Sequence, residues 1–165
     1  GVIDGVLFEG NTVFSSRRLR GVVESDNRNW LKVWDLKRKL DKHVRAFAKA
    51  CHFDLGRAPK LDSLWVNILK PGGTHSGHIH PHCIISGTCY ISVPKGAGAL
   101  KLEDPRLARM MAAPVRKPDA PEALQPFVYA EPNPGTIFLW ESWLTHEVVP
   151  SKAKTDRISI SFNYR

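Results

Sequence analysis

The chain has 165 residues, 42% of them hydrophobic and 24% charged, which is length enough for one domain with its own core and excludes a disordered tail or a fibre. No apolar run approaches the roughly 20 residues that a membrane helix needs, and no secretory signal opens the sequence. The net charge of +8 makes nucleic acid a possible partner, but no recognition motif accompanies it, and cations spread over a solvated surface are the simpler account.

In chain order, residues 1–25 read as irregular structure with short strands. From about Asn29 the period changes. Leu36, Leu40, Val44, Phe47 and Cys51 recur at spacings of three and four, one face of a helix that runs to about His52. The opposite face carries Lys37, Arg38, Lys39, Lys42, Arg45 and Lys49. Gly56 and Pro59 mark a loop. Strand-like segments follow to the end: Leu64–Leu69, Cys83–Val93 with Gly87 as a candidate bulge, Leu100–Leu102, Val128–Ala130, Thr136–Trp140, His146–Val149 and Ile158–Asn163. Pro71-Gly72-Gly73 and Pro132-Asn133-Pro134-Gly135 are turns. Residues 107–126, rich in Ala, Pro and charge, read as a loop or short helix over a site. The expectation is a single domain over 1–165: an N-terminal segment and flanking helix over 1–60, then a mainly β jelly roll over 61–165.

The cysteines, Cys51, Cys83 and Cys89, are odd in number and form no CxxC pair. They read as reduced thiols of a cytoplasmic protein.

Four of the seven histidines, His75, His78, His80 and His82, crowd into eight residues. Imidazole is a good ligand for iron(II), zinc and copper. Histidines at i and i+2 on an extended segment project from one face and can grip an ion from one side. Both His78-Ile79-His80 and His80-Pro81-His82 have that spacing, and His146 is the one histidine late in the chain. Taken alone, the cluster fits a metal site and a solvated histidine-rich loop equally well. In the last strand Arg157, Ser159, Ser161 and Asn163 alternate with Ile158, Ile160 and Phe162. An arginine and a serine on one face make a carboxylate clamp, although an edge strand with a polar outer face has the same pattern. Arg157 follows His146 by eleven residues, so a turn between antiparallel strands would bring the two together.

From about Ser63 onward the sequence resembles the small stand-alone bacterial and phage 2-oxoglutarate- and iron(II)-dependent oxygenases. The parts that carry the likeness are Trp65-Val66-Asn67, His78-Ile79-His80-Pro81, Ser86-Gly87-Thr88-Cys89-Tyr90 and Asp104-Pro105-Arg106. Pro134 to Trp140, Trp143-Leu144-Thr145-His146 and Arg157 to Asn163 complete it. The resemblance implies a double-stranded β-helix, that is, a cupin-like jelly roll, with iron(II) as cofactor and 2-oxoglutarate as co-substrate. It places His78 and His146 as metal ligands, Arg157 and Ser159 on the far carboxylate of 2-oxoglutarate, and Tyr90 as a further donor. His80 stands where the superfamily has an acid; Glu103, Asp104 or Glu141 could supply a carboxylate instead, with Asp104 before Pro105 better read as a turn residue. His82, Asn67, Trp143 and Asn163 are candidates for places behind the ligands or at the substrate mouth, and His75 for a place behind the ligands or on the surface. Trp140 reads better as core. Two other readings remain: a cupin-like metalloprotein of different chemistry, which would not need Arg157, and a nucleic-acid-binding module, which would not need the histidines. The substrate is not legible.

Overall fold

A computed structural model describes residues 7–9 and 30–165, with side chains from Asp35 onward. Helix α1 spans Trp30–Ala50 and is followed by β2 (Leu61–Leu69), β3 (His75–His78), β4 (Ile85–Ser92) and β5 (Leu100–Glu103). Next come the one-turn helix α2 (Leu107–Met110), β6 (Phe127–Ala130), β7 (Ile137–Glu141), β8 (His146–Val148) and β9 (Arg157–Tyr164). The short strand β1 (Leu7–Glu9) precedes them all. The rest of the expected N-terminal irregular segment lies outside the described residues.

The strands form two antiparallel sheets, ordered β1-β7-β4-β9-β2 and β3-β8-β5-β6. This is the expected jelly roll. The period-2 alternation of β4, β7 and β9 decides which side chains go where. Ile137, Leu139, Ile160, Phe162 and Tyr164 face α1 and pack against Leu36, Leu40, Val44 and Phe47, each at most 2% exposed. Burying each such side chain contributes about 1.5–3 kcal/mol. On the opposite face Tyr90, Phe138 and Trp140 meet Leu100, Leu102 and Val128 of the smaller sheet in a second core. Between the sheets, beside that second core, lies the cavity described below. The Tyr164 hydroxyl donates to Asp41 Oδ1 at 2.7 Å and ties the last strand to the helix.

Several expectations need correction. Gly87 is no bulge: it stays in register with Leu139 and Phe162, and the irregularity between β4 and β9 falls at Tyr90/Ser92. A Cβ on Gly87 would sit 2.5 Å from the Phe162 ring, so glycine is there to admit that ring. Strand β9 is not an edge; it lies between β4 and β2, and its polar face is buried. The strand expected from Leu64 begins at Leu61, and Cys83 sits in the turn before β4. Residues 105–126 form α2, a single 3-10 turn at Glu122–Leu124 and irregular chain that is mostly exposed. Their neck is closed by Asp104, whose N–H donates to the Pro126 carbonyl at 2.8 Å. None of them lines the cavity, so in this conformation the 105–126 segment does not cover it.

Candidate metal and anion site

The β3–β8 register places His78 opposite His146, and β8 also pairs with β5, so His146 enters the cavity wall from the middle of the smaller sheet. His80 lies just past the end of β3, where its N–H donates to the Ser142 carbonyl at 2.9 Å and holds the turn against the end of β7. The result is three imidazoles whose candidate ligand nitrogens all lie within 4.8 Å of one another. Among the described residues this cluster contains no carboxylate. Asp104 is taken by Arg106, with Nη2 at 2.6 Å and Nε at 3.0 Å, and its Oδ1 also accepts the Arg106 N–H, the turn role expected of it. Glu141 accepts the Trp143 indole N–H at 2.7 Å, and Glu103 is not in the cluster either. Of the candidates for the third position, His80 is the one that lies in this cluster among the described residues.

Two of the three rings are held by backbone carbonyls, as a metal centre requires of its ligands. His78 Nδ1 lies 2.7 Å from the Ser76 carbonyl, and His146 Nδ1 lies 2.9 Å from the Leu144 carbonyl. A carbonyl only accepts, so each Nδ1 carries the hydrogen and each Nε2 keeps a lone pair for an ion. Burial, helped by the neighbouring His78 and His80, pushes the His146 pKa down to about 4; the hydrogen bond to Leu144 opposes this. Burial, and then His78, also lowers the pKa of His80. Neutral imidazoles are what a cation needs.

Arg157 lines the same cavity and is 3% exposed. Among the described residues its side chain donates from Nη1 to the Gly98 carbonyl at 3.0 Å, and its buried Nε has no acceptor. Gly98 must be glycine, because a Cβ there would run into the Val149 carbonyl. Burial lowers the Arg157 pKa, against a smaller effect of Tyr90 in the other direction, but a guanidinium stays charged. A buried cation without a counter-charge is costly unless an anion joins it. Ser159 and Tyr90 line the cavity beside it; the Tyr90 ring lies 5.4 Å from the guanidinium, and burial raises its hydroxyl pKa to about 12, so it remains a donor. The donor set fits a divalent ion that accepts imidazoles, and the orphaned guanidinium fits a carboxylate next to it.

The remaining candidates divide. Asn67 lines the cavity and donates to Ser161 Oγ at 2.8 Å. Asn163 stands behind His80, 3.4 Å from its Nδ1. His82 does not reach the site: it is exposed on a turn at φ 66°. Trp143 is 53% exposed, bound to Glu141 and absent from the cavity wall. Trp140 is core as expected, yet its ring also lies 4.7 Å from His146, and its buried Nε1 has no acceptor among the described residues. The residue undervalued from sequence is His75. It lines the cavity, and burial, then Arg157 and His78, lower its pKa. The register irregularity between His75 and His78 is associated with both rings reaching one cavity at an odd spacing. Sequence carries no sign of that irregularity.

Residues 63–163 match the family described as "Putative 2OG-Fe(II) oxygenase". The match covers well over half of the chain, and the chain belongs to that family. It is an iron(II)- and 2-oxoglutarate-dependent oxygenase, and the His78, His80 and His146 cluster fits its iron site. Solved structures with the same fold include a prolyl-4-hydroxylase from Pseudomonas putida (16% identity, TM-score 0.65, covering 98% of this chain and 85% of that one). AviO1 from Streptomyces viridochromogenes Tue57 is similar (15%, TM-score 0.66, 98% and 89%). So is a Trichoplax adhaerens prolyl hydroxylase, solved with a hypoxia inducible factor peptide fragment (17%, TM-score 0.64, 98% and 83%). At these identities the likeness is one of fold. No curated protein matches the chain in sequence. Among the described residues no helix is long and apolar enough to cross a membrane.

Proposed function

We propose that this oxygenase hydroxylates a C–H bond of its substrate and couples that to conversion of 2-oxoglutarate and dioxygen into succinate and carbon dioxide. His78, His80 and His146 would hold the iron(II) ion. The bound ion supplies the oxidising chemistry, and the chain supplies orientation, charge and exclusion of water. Arg157 binds the far carboxylate of the keto acid with two charge-assisted bonds, Ser159 adds a hydroxyl donor and Tyr90 a neutral phenol. That contact fixes which end of the keto acid points to the histidines. Three neutral imidazoles offset none of the ion's charge, so the dianionic co-substrate carries more of that task here than in sites with an acid in the third position.

The observation that carries the reading is Arg157: a buried guanidinium, whose Nε has no acceptor among the described residues, in one cavity with three imidazoles. Neither alternative explains both. A metalloprotein of other chemistry would not need Arg157 as an anion clamp. A nucleic-acid module has no use for the histidines, and the exposed basic residues of α1 lie beyond the larger sheet from the cavity. The cysteines, all unpaired, suit a reducing compartment such as the cytoplasm.

Release of labelled carbon dioxide and succinate from 2-oxoglutarate, measured with iron(II) and without added substrate, tests the assignment. Wild type turns over slowly, His146→Ala not at all, and Arg157→Ala only at much higher co-substrate concentration. Turnover in His146→Ala equal to wild type would contradict it. Metal binding without turnover, indifferent to Arg157→Ala, would favour the other metalloprotein chemistry.

A further inference from the structure

Resting on the metal-centre reading above, one buried polar string acquires a purpose. His78 and His146 are each anchored by the backbone carbonyl two residues earlier. His80 is not; its Nδ1 faces the Asn163 amide at 3.4 Å. Behind the amide, Ser86 Oγ donates to Asn163 Oδ1 at 2.8 Å and lies 2.8 Å from Ser142 Oγ, while Asn163 Nδ2 donates to Ser63 Oγ at 3.2 Å. Ser86, Ser142 and Asn163 are 1%, 0% and 7% exposed. Polar groups sunk this deep need a full set of partners, and apolar residues of like shape would serve packing as well.

The direction of these bonds conflicts with metal binding. In the arrangement described, Nδ2 of Asn163 donates, so His80 Nδ1 accepts and the ring hydrogen sits on Nε2. An imidazole in that tautomer has no lone pair on Nε2, the nitrogen left to face an ion. For Nε2 to bind, Nδ1 must carry the hydrogen and must meet an acceptor. A half-turn of the Asn163 amide provides one: Oδ1 replaces Nδ2 opposite His80, and Nδ2 turns to Ser86. Serine hydroxyls donate or accept by rotation alone, so Ser86 and Ser142 reverse their bonds and Ser63 becomes a donor. The serines around Asn163 are the residue type that permits this reversal.

We propose that Asn163 is the positioning residue of the third imidazole: its amide, able to turn within a serine cage, selects the His80 tautomer and thereby sets how firmly the site holds its metal. His78 and His146 are preset by fixed carbonyls, so His80 is the ligand that a neighbouring side chain controls.

The test uses the full chain, Co(II) as probe, and two variants. Co(II) titration is followed by ligand-field absorption and by quenching of tryptophan fluorescence, since the Trp65 ring lies 6.0 Å from His80 and the Trp140 ring 4.7 Å from His146. Asn163→Leu, which fills the space without an acceptor, is expected to weaken Co(II) binding roughly 10–100-fold, the usual effect of losing a ligand's supporting partner. Asn163→Asp, which can only accept, is expected to bind at least as tightly as wild type. Independently of metal affinity, long-range proton–nitrogen NMR of the metal-free protein should find His80 as the Nε2–H tautomer in wild type and as Nδ1–H in Asn163→Asp. That measurement decides the matter even if Asn163→Leu does not fold. Equal Co(II) affinity in all three proteins, or one His80 tautomer in both metal-free proteins, overturns the inference and leaves the metal centre standing. No Co(II) binding by wild type overturns both.

Discussion

At the scale of single residues, the site is a set of groups that protonation would spoil. His146 carries the clearest consequence. In the unfolded chain its imidazole takes a proton at about 6.5, but in the folded, metal-free protein only near 4. Between those values the unfolded state binds more protons, so stability falls as pH drops through that window and this contribution levels off below about 4. Thermal unfolding of metal-free protein from pH 7 to pH 4 should show the decline, and His146→Gln should make it shallower, with His75 and His80 keeping part of it; an unchanged slope in the variant would refute the assignment. The parts of the site legible in sequence were those that the alternation of one strand or one short motif could deliver: Arg157 and Ser159 from β9, His78 and His80 from their spacing. His75 was poorly legible for a physical reason: its place depends on a register irregularity, which leaves no periodic signature. Asn163 was legible as a candidate from the alternation of β9, but its partners in three other segments were not.

At the scale of elements, α1 and β9 were readable because each has one clean apolar face, and those two faces meet. Strand β4 was readable as a strand but not in its details. It is buried on both sides, so its sequence lacks the polar–apolar alternation that reports orientation, and Gly87 looked like an interruption. Its position is decided by Phe162 on the neighbouring strand. A methyl group at Gly87 would fall 2.5 Å from Phe162 ring carbons and 2.7 Å from Leu139 Cδ2. Gly87→Ala should therefore destabilise the protein by about 1–3 kcal/mol, as overpacking does. Urea unfolding checks this, with a lower midpoint and an unchanged slope expected. A midpoint equal to that of wild type would mean that Phe162 and Leu139 yield easily at this point.

At the scale of the whole molecule, the sandwich separates two tasks. Helix α1 and one face of the larger sheet make a conventional apolar core. The other face lines the cavity with Arg157, Ser159 and Asn67, groups that would be poor core residues anywhere else. The central claim is that this cavity holds a metal at the three histidines and a keto acid between them and Arg157. Its most direct test is an anaerobic titration of the iron(II)-loaded protein with 2-oxoglutarate, followed by the visible charge-transfer absorption that a keto acid chelated to iron(II) produces. Wild type should give a saturable band, and His146→Ala none. Arg157→Ala should need roughly 30-fold more 2-oxoglutarate or beyond, as expected when a buried charge pair worth about 2–5 kcal/mol is broken. A band of wild-type strength in His146→Ala, or an unchanged half-saturation in Arg157→Ala, would contradict the account.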